Sequence, residues 1–225
     1  NAYYLFSQEI YMKTATFDKF ADDYNKWFIE NEFVYLTELE TKRHFCVDAS
    51  LSIEIGISIT KFAEPLKINY GLEPFFSMIR NIKNIFNISV INGIAENIPF
   101  KNNIFKTFPL LTTIYFVDDS EKNTAETKRI LKINWQIIIA FLDKESPLGK
   151  NCQKNKYKSK FYSKTLFYFS EDIARFLTKH KFEDINIIQT VFGNYKEIKN
   201  LQTKKNRFGK CNFIIIKVEK NNYEI

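Results

Sequence analysis

The sequence predicts an α/β fold built on a mostly parallel sheet. Three observations lead to this expectation. Apolar segments of strand length alternate with helix-like segments, two more apolar segments follow near the end, and no repeat or Pro/Gly/Ser-rich linker divides the chain. Helices between consecutive strands act as crossovers, so the first five strands should be parallel. A loop joins the last two strands, so they should pair antiparallel.

The apolar periodicity places each element. Seven strands are expected, at residues 51–57, 68–72, 88–92, 108–116, 136–142, 185–192 and 212–218. Helices should lie on both faces of the sheet, at residues 17–43 (with a second stretch at 33–39), 60–66, 77–84, 120–131 and 171–180. Ser120 and Ser170 are expected to cap the last two helices. All of these elements belong to one predicted domain, residues 1–225, with 16–45 as N-terminal cap helices and 1–15 as a disordered or vector-derived tail.

Composition limits the function classes. Hydrophobic residues make up 45% of the 225 residues, which suits a packed core, and no apolar run reaches the roughly 18 residues of a membrane helix. Three scattered cysteines and two histidines argue against a disulfide framework or a metal site. We therefore expect a cytoplasmic protein without a metal or a membrane partner. The net charge of +7 and the lysine-rich segment 150–164 keep nucleic-acid binding open as an alternative.

The loop after the first predicted strand carries the first candidate site. Glu54 is followed by Gly56, Ser58 and Thr60 at two-residue spacing. Glycine at such positions lets backbone N–H groups approach a ligand and permits left-handed conformations. Serine and threonine carry a Cβ, and threonine is stiff at χ1, so Ser58 and Thr60 depart from a glycine pattern.

Two later motifs extend this site. Glu73 and Pro74 end the second predicted strand, where a carboxylate can accept both ribose hydroxyls of a nucleoside cofactor, with Met78 close by. The segment 92–100, Asn-Gly-Ile-Ala-Glu-Asn-Ile-Pro-Phe, follows the third strand. A nicotinamide-dependent oxidoreductase fits less well, because its GxGxxG pattern would retain only Gly56.

In their order, these motifs resemble those of the class I S-adenosylmethionine-dependent methyltransferases, over roughly residues 17–220. The family's patterns are E/D-x-G-x-G-x-G and G-x-A-E-x-L-P-F, and residues 129–134, Arg-Ile-Leu-Lys-Ile-Asn, resemble its R-V-L-K-P-G-G. Asn134 is expected to supply the turn conformation. Lys106 and Pro109 depart from the pattern. The resemblance implies a Rossmann-like seven-stranded sheet with an antiparallel C-terminal strand.

The resemblance also implies a set of ligands and contacts. S-adenosylmethionine would be the cofactor and S-adenosylhomocysteine the product. Residues 144–169 would form a substrate cover, since 143–149 and the region around 161–162 resemble a subgroup of small methyltransferases. The implied cofactor contacts are Tyr24, Glu54, Gly56, Ser58, Thr60, Glu73, Pro74, Met78, Ala95, Glu96 and Thr112. The implied substrate-side residues are Trp27, Phe28, Thr113, Phe161 and Tyr162.

Methyl transfer from a sulfonium by in-line displacement needs mainly alignment, so no catalytic triad is expected. Tyr115, Asp143 and Glu145 are candidates for polar contacts to the substrate, and the sequence does not rank one as a base. A small-molecule acceptor is the leading expectation, because no separate recognition domain is evident. Two alternatives stay open: a catalytically impaired or non-enzymatic protein of this fold, and an RNA-binding or RNA-modifying protein. The oligomeric state is not predicted.

Overall fold

A computed structural model describes residues 21–46, 51–58, 60–83, 88–158, 165–206 and 211–220. Two N-terminal helices, α1 and α2, precede the sheet, and α3 follows its second strand. The later helices are α4, α5 and α6. In chain order the six helices of the described ranges are Ala21–Glu30, Glu32–Arg43, Phe76–Lys83, Ser120–Ile130, Pro147–Lys154 and Ser170–Lys179.

Eight strands, β1 to β8, lie within the same ranges, one more than predicted. The additional strand is β7, a two-residue element in the loop before the last strand. In chain order they are Ile53–Ile55, Tyr70–Glu73, Ser89–Asn92, Phe105–Leu111, Leu131–Leu142, Glu183–Phe192, Lys205–Asn206 and Cys211–Lys220.

The strands form two sheets that a parallel bridge joins. β1, β2 and β3 pair in parallel, and the other sheet has the order β4-β5-β8-β6-β7, with β4 and β5 parallel. Ser52 pairs with Thr107 in parallel, which places β1 beside β4. The combined order is therefore 3-2-1-4-5-8-6-7. β8 is antiparallel to both neighbours, so the predicted antiparallel C-terminal strand is confirmed.

Both faces of the sheet are covered by helices, as predicted. On one face, α4 and α6 bury Ile130, Ile173 and Leu177 in a cluster with strand residues. On the other face, α1, α2 and α3 bury Phe28, Val34, Leu39, Ile79 and Ile82 in a second cluster. Strands buried on both sides explain the nearly continuous apolar runs of the sequence.

The predicted helix at 60–66 is wrong, because this segment is a succession of turns. Pro65 has no backbone N–H and cannot donate to the carbonyl of Lys61, as an α-helix would require. That carbonyl instead accepts a hydrogen bond from the Tyr35 hydroxyl at 2.7 Å. The predicted helix at 17–43 is two helices, which meet at Asn31, and its residues 17–20 lie outside the described ranges.

The fourth and fifth strands have different bounds from those predicted. β4 ends at Leu111 because Thr112 is left-handed, with φ 62°, and Thr113–Phe116 forms a 3₁₀ helix. β5 begins directly after α4 at Leu131. Asn134 has φ 62°, so its predicted unusual turn conformation is confirmed within a longer strand. Pro109, a departure noted in the sequence, lies within β4.

Neither predicted serine is a helix cap. Asp119 occupies the N-cap position of α4, and its carboxylate accepts from the Lys122 amide at 3.0 Å. Phe169 occupies that position for α6, and the Ser170 amide donates to Asp143 instead. Each serine is instead the first residue of its helix. The predicted helix starts are therefore within one residue of the observed starts, but the predicted capping residues are wrong. No helix in the described parts of the chain is long and apolar enough to cross a membrane.

Candidate cofactor site

The topology identifies one edge of the sheet as the candidate site. β1, β2, β3 and β4 are parallel, so their carboxyl ends meet at the same edge. The strand order reverses between β1 and β4, and open α/β sheets bind ligands in the crevice outside such a switch point. The predicted cofactor residues after β1, β2, β3 and β4 are therefore brought to one edge.

The loop after β1 is left-handed at the three positions of the glycine pattern. Gly56, Ser58 and Thr60 have φ values of 67°, 50° and 60°. All three are in the left-handed region, where glycine is favoured and a Cβ causes strain. Ser58 and Thr60 thus keep a glycine-type backbone although they carry side chains.

Thr113 closes the switch point on the side of β4. Its hydroxyl donates to the carbonyl of Ile55, the last residue of β1, at 2.7 Å. A Cβ built on Gly56 would lie 2.7 Å from atoms of this threonine side chain. Glycine is therefore required at position 56 by both its φ and the close approach of Thr113. The backbone N–H of the neighbouring Thr112 donates to the carbonyl of Ala140 in β5.

Glu54 is a buried carboxyl group within β1, and 3% of its surface is exposed. Its Oε2 has no hydrogen-bond partner among the described residues. Burial is the main cause that raises the pKa of Glu54, Lys42 opposes the rise and Glu73 adds to it, so that the pKa is about 8. Because the folded pKa lies above the ordinary value of 4.5, this group favours folding at low pH, and that contribution is lost as the pH rises through about 8.

Glu73 ends β2 and ties the loop to the second strand. Its Oε2 accepts a hydrogen bond from the backbone N–H of Ser58 at 2.9 Å. Asn92, at the end of β3, donates its side-chain amide to the carbonyls of Glu73 and Pro74 at 3.0 and 2.8 Å. The Ser58 amide thus holds the carboxylate predicted to accept a ribose, and Asn92 holds the backbone that carries it. Met78 is buried in α3 behind it.

The segment after β3 is held by side chains from elsewhere in the chain. Glu96 accepts hydrogen bonds from the amides of Asp118 and Asp119 at 2.8 and 3.3 Å, so its carboxylate anchors the start of α4. Ala95 beside it is buried. Their predicted contacts with adenine stay a prediction, and the structure adds that Glu96 shapes the neighbouring loop.

Sequence reasoning missed the pair Glu126 and Arg129, which clamp this segment from α4. Glu126 accepts from the Ile98 amide at 2.7 Å, and Arg129 donates to the carbonyls of Ile98 and Phe100 at 2.7 and 2.6 Å. The two side chains also pair with each other at 2.7 Å. Arg129 is the arginine of the R-V-L-K-like motif, so the sequence did carry a signal for this clamp. The motif predicted only the turn at Asn134.

Arg129→Met should lower the free energy of unfolding by about 2 kcal/mol, because it removes charge-assisted bonds to two loop carbonyls at a partly exposed site. It should also weaken binding of S-adenosylhomocysteine by loosening residues 94–100. Urea unfolding and calorimetric titration measure the two effects. Arg175→Met is the control, since Arg175 pairs with Asp172 on the exposed side of α6 and should change stability by less than about 0.5 kcal/mol. Equal losses in both variants would contradict the clamp.

The three predicted polar substrate contacts have structural partners. Tyr115 is buried, and its hydroxyl donates to the carbonyl of Leu142 at 2.9 Å. Asp143 accepts from the amides of Glu145 and Ser170 at 2.7 and 3.2 Å. Glu145 is exposed and forms an ion pair with Lys150 at 2.7 Å. Their substrate roles stay a prediction, while their positions after β4 and β5 are at the same edge of the sheet.

The aromatic residues of the cap helices form a packed cluster. Phe28 makes edge contacts with Trp27, Tyr35 and Phe62 at centroid distances of 5.2 to 6.0 Å. Phe62 follows the cofactor loop by two residues, so this cluster holds α1 and α2 against the segment that continues the loop. The contacts predicted for the side chain of Tyr24, and for Phe161 and Tyr162, lie outside the described residues.

The comparisons with known proteins agree with this geometry. A methyltransferase of Thermotoga maritima, described as S-adenosylmethionine-dependent and as a possible histamine N-methyltransferase, is 34% identical, with a TM-score of 0.88 over 92% of this chain and 99% of its own. The chain belongs to the class I S-adenosylmethionine-dependent methyltransferases. An uncharacterised protein of Methanocaldococcus jannaschii is 35% identical to this methyltransferase-family chain over 91% of its length and 98% of the relative.

A more distant structure shows the shared fold alone. An S-adenosylmethionine-dependent methyltransferase of Archaeoglobus fulgidus is 14% identical, with a TM-score of 0.65 over 84% of this chain and 94% of its own. No family model matches the sequence. The family assignment of this methyltransferase therefore depends on the close relatives and on the switch-point geometry, and the predicted Rossmann-like class I fold is confirmed.

Proposed function

We propose that this methyltransferase transfers a methyl group from S-adenosylmethionine to a small-molecule acceptor by in-line displacement. The observation that carries the proposal is that three alternating residues of one loop, Gly56, Ser58 and Thr60, are left-handed at the switch point between β1 and β4. This backbone turns the chain tightly at the carboxyl end of β1, and its N–H groups hold the turn by donating to Leu72, Glu73 and Ile57. Glu73, at the end of the adjacent strand, supplies the acceptor for a nucleoside ribose.

The residues present fit the cofactor. Glu54 has a buried, unpartnered oxygen among the described residues, and this oxygen suits a cationic group of the ligand. Glu73 can accept ribose hydroxyls. Ala95 and Met78 are the apolar residues expected beside an adenine, and both are buried. The bound sulfonium supplies an activated methyl group, so the chain has to bind and orient the two reactants and exclude water.

In the displacement, the bond from the acceptor atom to the methyl carbon forms as the carbon–sulfur bond breaks, and the electron pair of that bond stays on sulfur. A neutral amine acceptor becomes an ammonium and can release its proton to solvent or to a carboxylate afterwards. Among the candidates, Glu145 is the exposed carboxylate after β5 and can receive such a proton.

Binding of S-adenosylhomocysteine tests the cofactor part of the proposal. The ligand should stabilise the protein against heat, by about 2.7 kcal/mol at a concentration of 100 times Kd. Glu73→Gln should weaken binding at least about tenfold, because its amide keeps an acceptor for the Ser58 amide but loses one for the ribose. Glu64→Gln, an exposed change after the loop, is the control. Absence of any stabilisation at millimolar ligand would overturn the proposal.

Product formation tests the acceptor class. The Thermotoga relative is described as a possible histamine N-methyltransferase, which supports small amines as the first acceptors to test. Formation of S-adenosylhomocysteine should be measured with histamine, with other small amines and with RNA. Turnover on a small amine supports the proposal. Turnover on RNA alone, with steep salt dependence, would favour the alternative suggested by the lysines of segment 150–164.

A further inference from the structure

Tyr115 lies in the 3₁₀ helix that follows β4, and only 4% of its surface is exposed. The sequence predicted a polar contact between its hydroxyl and the substrate. In the structure, this hydroxyl donates to the carbonyl oxygen of Leu142 at 2.9 Å and accepts a hydrogen bond from the amide of the same residue. One side chain therefore satisfies both backbone groups of the last residue of β5.

The backbone groups of Leu142 need a partner because β4 has already ended beside them. The amide of Asp143, the next residue, donates to Asn212 in β8 at 3.1 Å, so the N–H and C=O of Leu142 face the side of β4. The ladder between β4 and β5 ends where Leu111 pairs with Ala140. Leu142 is buried, and unpaired backbone groups there would be unfavourable. The tyrosine hydroxyl thus takes the place of a neighbouring strand.

The same 3₁₀ helix reaches the cofactor side at its other end. It begins with Thr113, whose hydroxyl donates to the carbonyl of Ile55 in β1 at 2.7 Å. Two residues later, Tyr115 holds the end of β5. One short helix therefore links the carboxyl end of β1, where the cofactor loop starts, to the carboxyl end of β5, which the candidate acceptor residues Asp143 and Glu145 follow.

The end of β5 also carries the predicted substrate cover, residues 144–169. Asp143 follows Leu142 directly, and its carboxylate accepts from the amides of Glu145 and Ser170, at the two ends of this cover. The ring of Tyr115 packs against Phe167 at a centroid distance of 5.4 Å. A shift of the end of β5 should therefore move both ends of the cover relative to the cofactor site.

We propose that Tyr115 is a positioning residue that sets the separation of cofactor and acceptor, because its hydroxyl holds the end of β5 against the helix that closes the cofactor site. This inference rests on the proposed function, since it concerns the alignment of the two reactants. The hydroxyl acts through Leu142 and does not touch the acceptor. Displacement at a methyl group depends steeply on alignment, and a misplacement of about 1 Å can cost about 100-fold in rate.

Amide hydrogen exchange of Tyr115→Phe tests this tie without any ligand. The variant keeps the ring and loses only the hydroxyl, so its packing against Phe167 should be retained. The amide of Leu142 should exchange at least about tenfold faster, because it loses its acceptor. The amide of Asp143, one residue later, donates to Asn212 and should keep its exchange rate.

The second measurement separates methyl transfer from cofactor binding. In Tyr115→Phe, kcat with histamine, the first acceptor to test, should fall at least about tenfold. The Kd for S-adenosylhomocysteine should change by less than about twofold, because Thr113 keeps its bond to β1. The pH profile of kcat should keep its shape, since the hydroxyl does not receive the proton of the acceptor.

Thr127→Val is the matched control for both measurements. It also removes a buried hydroxyl, which donates to the Asn123 carbonyl within α4 at 2.7 Å. This bond lies inside one helix and touches neither β1 nor β5. Thr127→Val should therefore change kcat and the Kd for S-adenosylhomocysteine by less than about twofold.

The outcomes separate this inference from the proposed function. Faster exchange at Leu142 alone, with a loss of turnover at unchanged affinity for S-adenosylhomocysteine, supports the role of Tyr115. Unchanged exchange at Leu142, equal acceleration at Leu142 and Asp143, or a changed pH profile would overturn it and leave the proposed function intact. No product from any small amine with the unmodified protein would instead overturn the proposed function, and exchange at Leu142 would still decide whether Tyr115 holds β5.

Discussion

Ser58→Gly should raise the free energy of unfolding by about 1–2 kcal/mol, because the left-handed backbone costs an L-residue roughly that amount. Ser58 has φ 50°, and its hydroxyl is buried without a hydrogen-bond partner in the described part of the chain. Glycine relieves the backbone strain and removes an unsatisfied polar group. The melting temperature should rise by roughly 5 °C for a chain of this length. Thermal and urea unfolding measure the change.

Ser89→Gly is the matched control for this prediction. Ser89 is exposed in β3, where glycine should lower stability by about 0.5–1 kcal/mol. A destabilised Ser58→Gly variant would show that the strained serine makes a compensating interaction, and the strain argument would then fail.

The double variant Ser58→Gly with Thr60→Gly extends the test to ligand binding. Thr60 is buried, so glycine there removes packing as well as strain, and its net effect on stability should be small. The double variant should bind S-adenosylhomocysteine more tightly than the unmodified protein, because both side chains leave the loop that faces the ligand. If only the double variant binds, the unmodified protein is a non-enzymatic or impaired member of its family. Tight binding by the unmodified chain would exclude that alternative.

Gly149→Ala should lower the free energy of unfolding by about 3 kcal/mol, the upper range for overpacking a core. A Cβ at Gly149 would lie 2.0 Å from the carbonyl oxygen of Asp143 and 2.9 Å from Oγ of Ser146. Ser146 caps α5 by accepting from the Gly149 amide at 2.8 Å and donates to the Asp143 carbonyl at 2.7 Å. The turn cannot open without losing these bonds, so the melting temperature should fall by roughly 10 °C.

Gly193→Ala provides the comparison for Gly149. Gly193 has φ 78°, but a Cβ there would meet no atom within 4 Å. Its replacement should therefore cause backbone strain alone, and about 1 kcal/mol of destabilisation. Equal losses at the two glycines would contradict the steric account of position 149.

The candidate cofactor residues could be recognised in the sequence because their signals are local. A strand, a turn and an acidic residue at the end of the next strand can each be recognised within a few residues, and parallel pairing then brings them together. Ser58 and Thr60 have positive φ values although their residue types argue against such values. Here the tertiary structure decided the conformation, against local preference.

Other roles were not evident from the sequence because they depend on distant partners. Asp143 was predicted to contact substrate, but its carboxylate accepts from Ser170, 27 residues later. Glu126 and Arg129 resemble an ordinary helical pair until the loop at 98–100 is placed beside them. Lys42 lies in a polar helical stretch that gives no sign of burial, and only the packing of α2 on β6 and the sheet places it in the core.

For the loop at residues 54–60, the sequence determined the position of the loop in the fold, and the tertiary structure determined its conformation. The sequence by itself determined the alternation of strands and helices, the family and the edge at which the ligand should bind, because hydrophobic period and short motifs are properties of neighbouring residues. Only the tertiary structure decided that Ser58 and Thr60 are left-handed and that Glu73 holds the loop. Strain, burial and charge coupling arise between segments far apart in the chain, so they exist only once the sheet and its helices are packed.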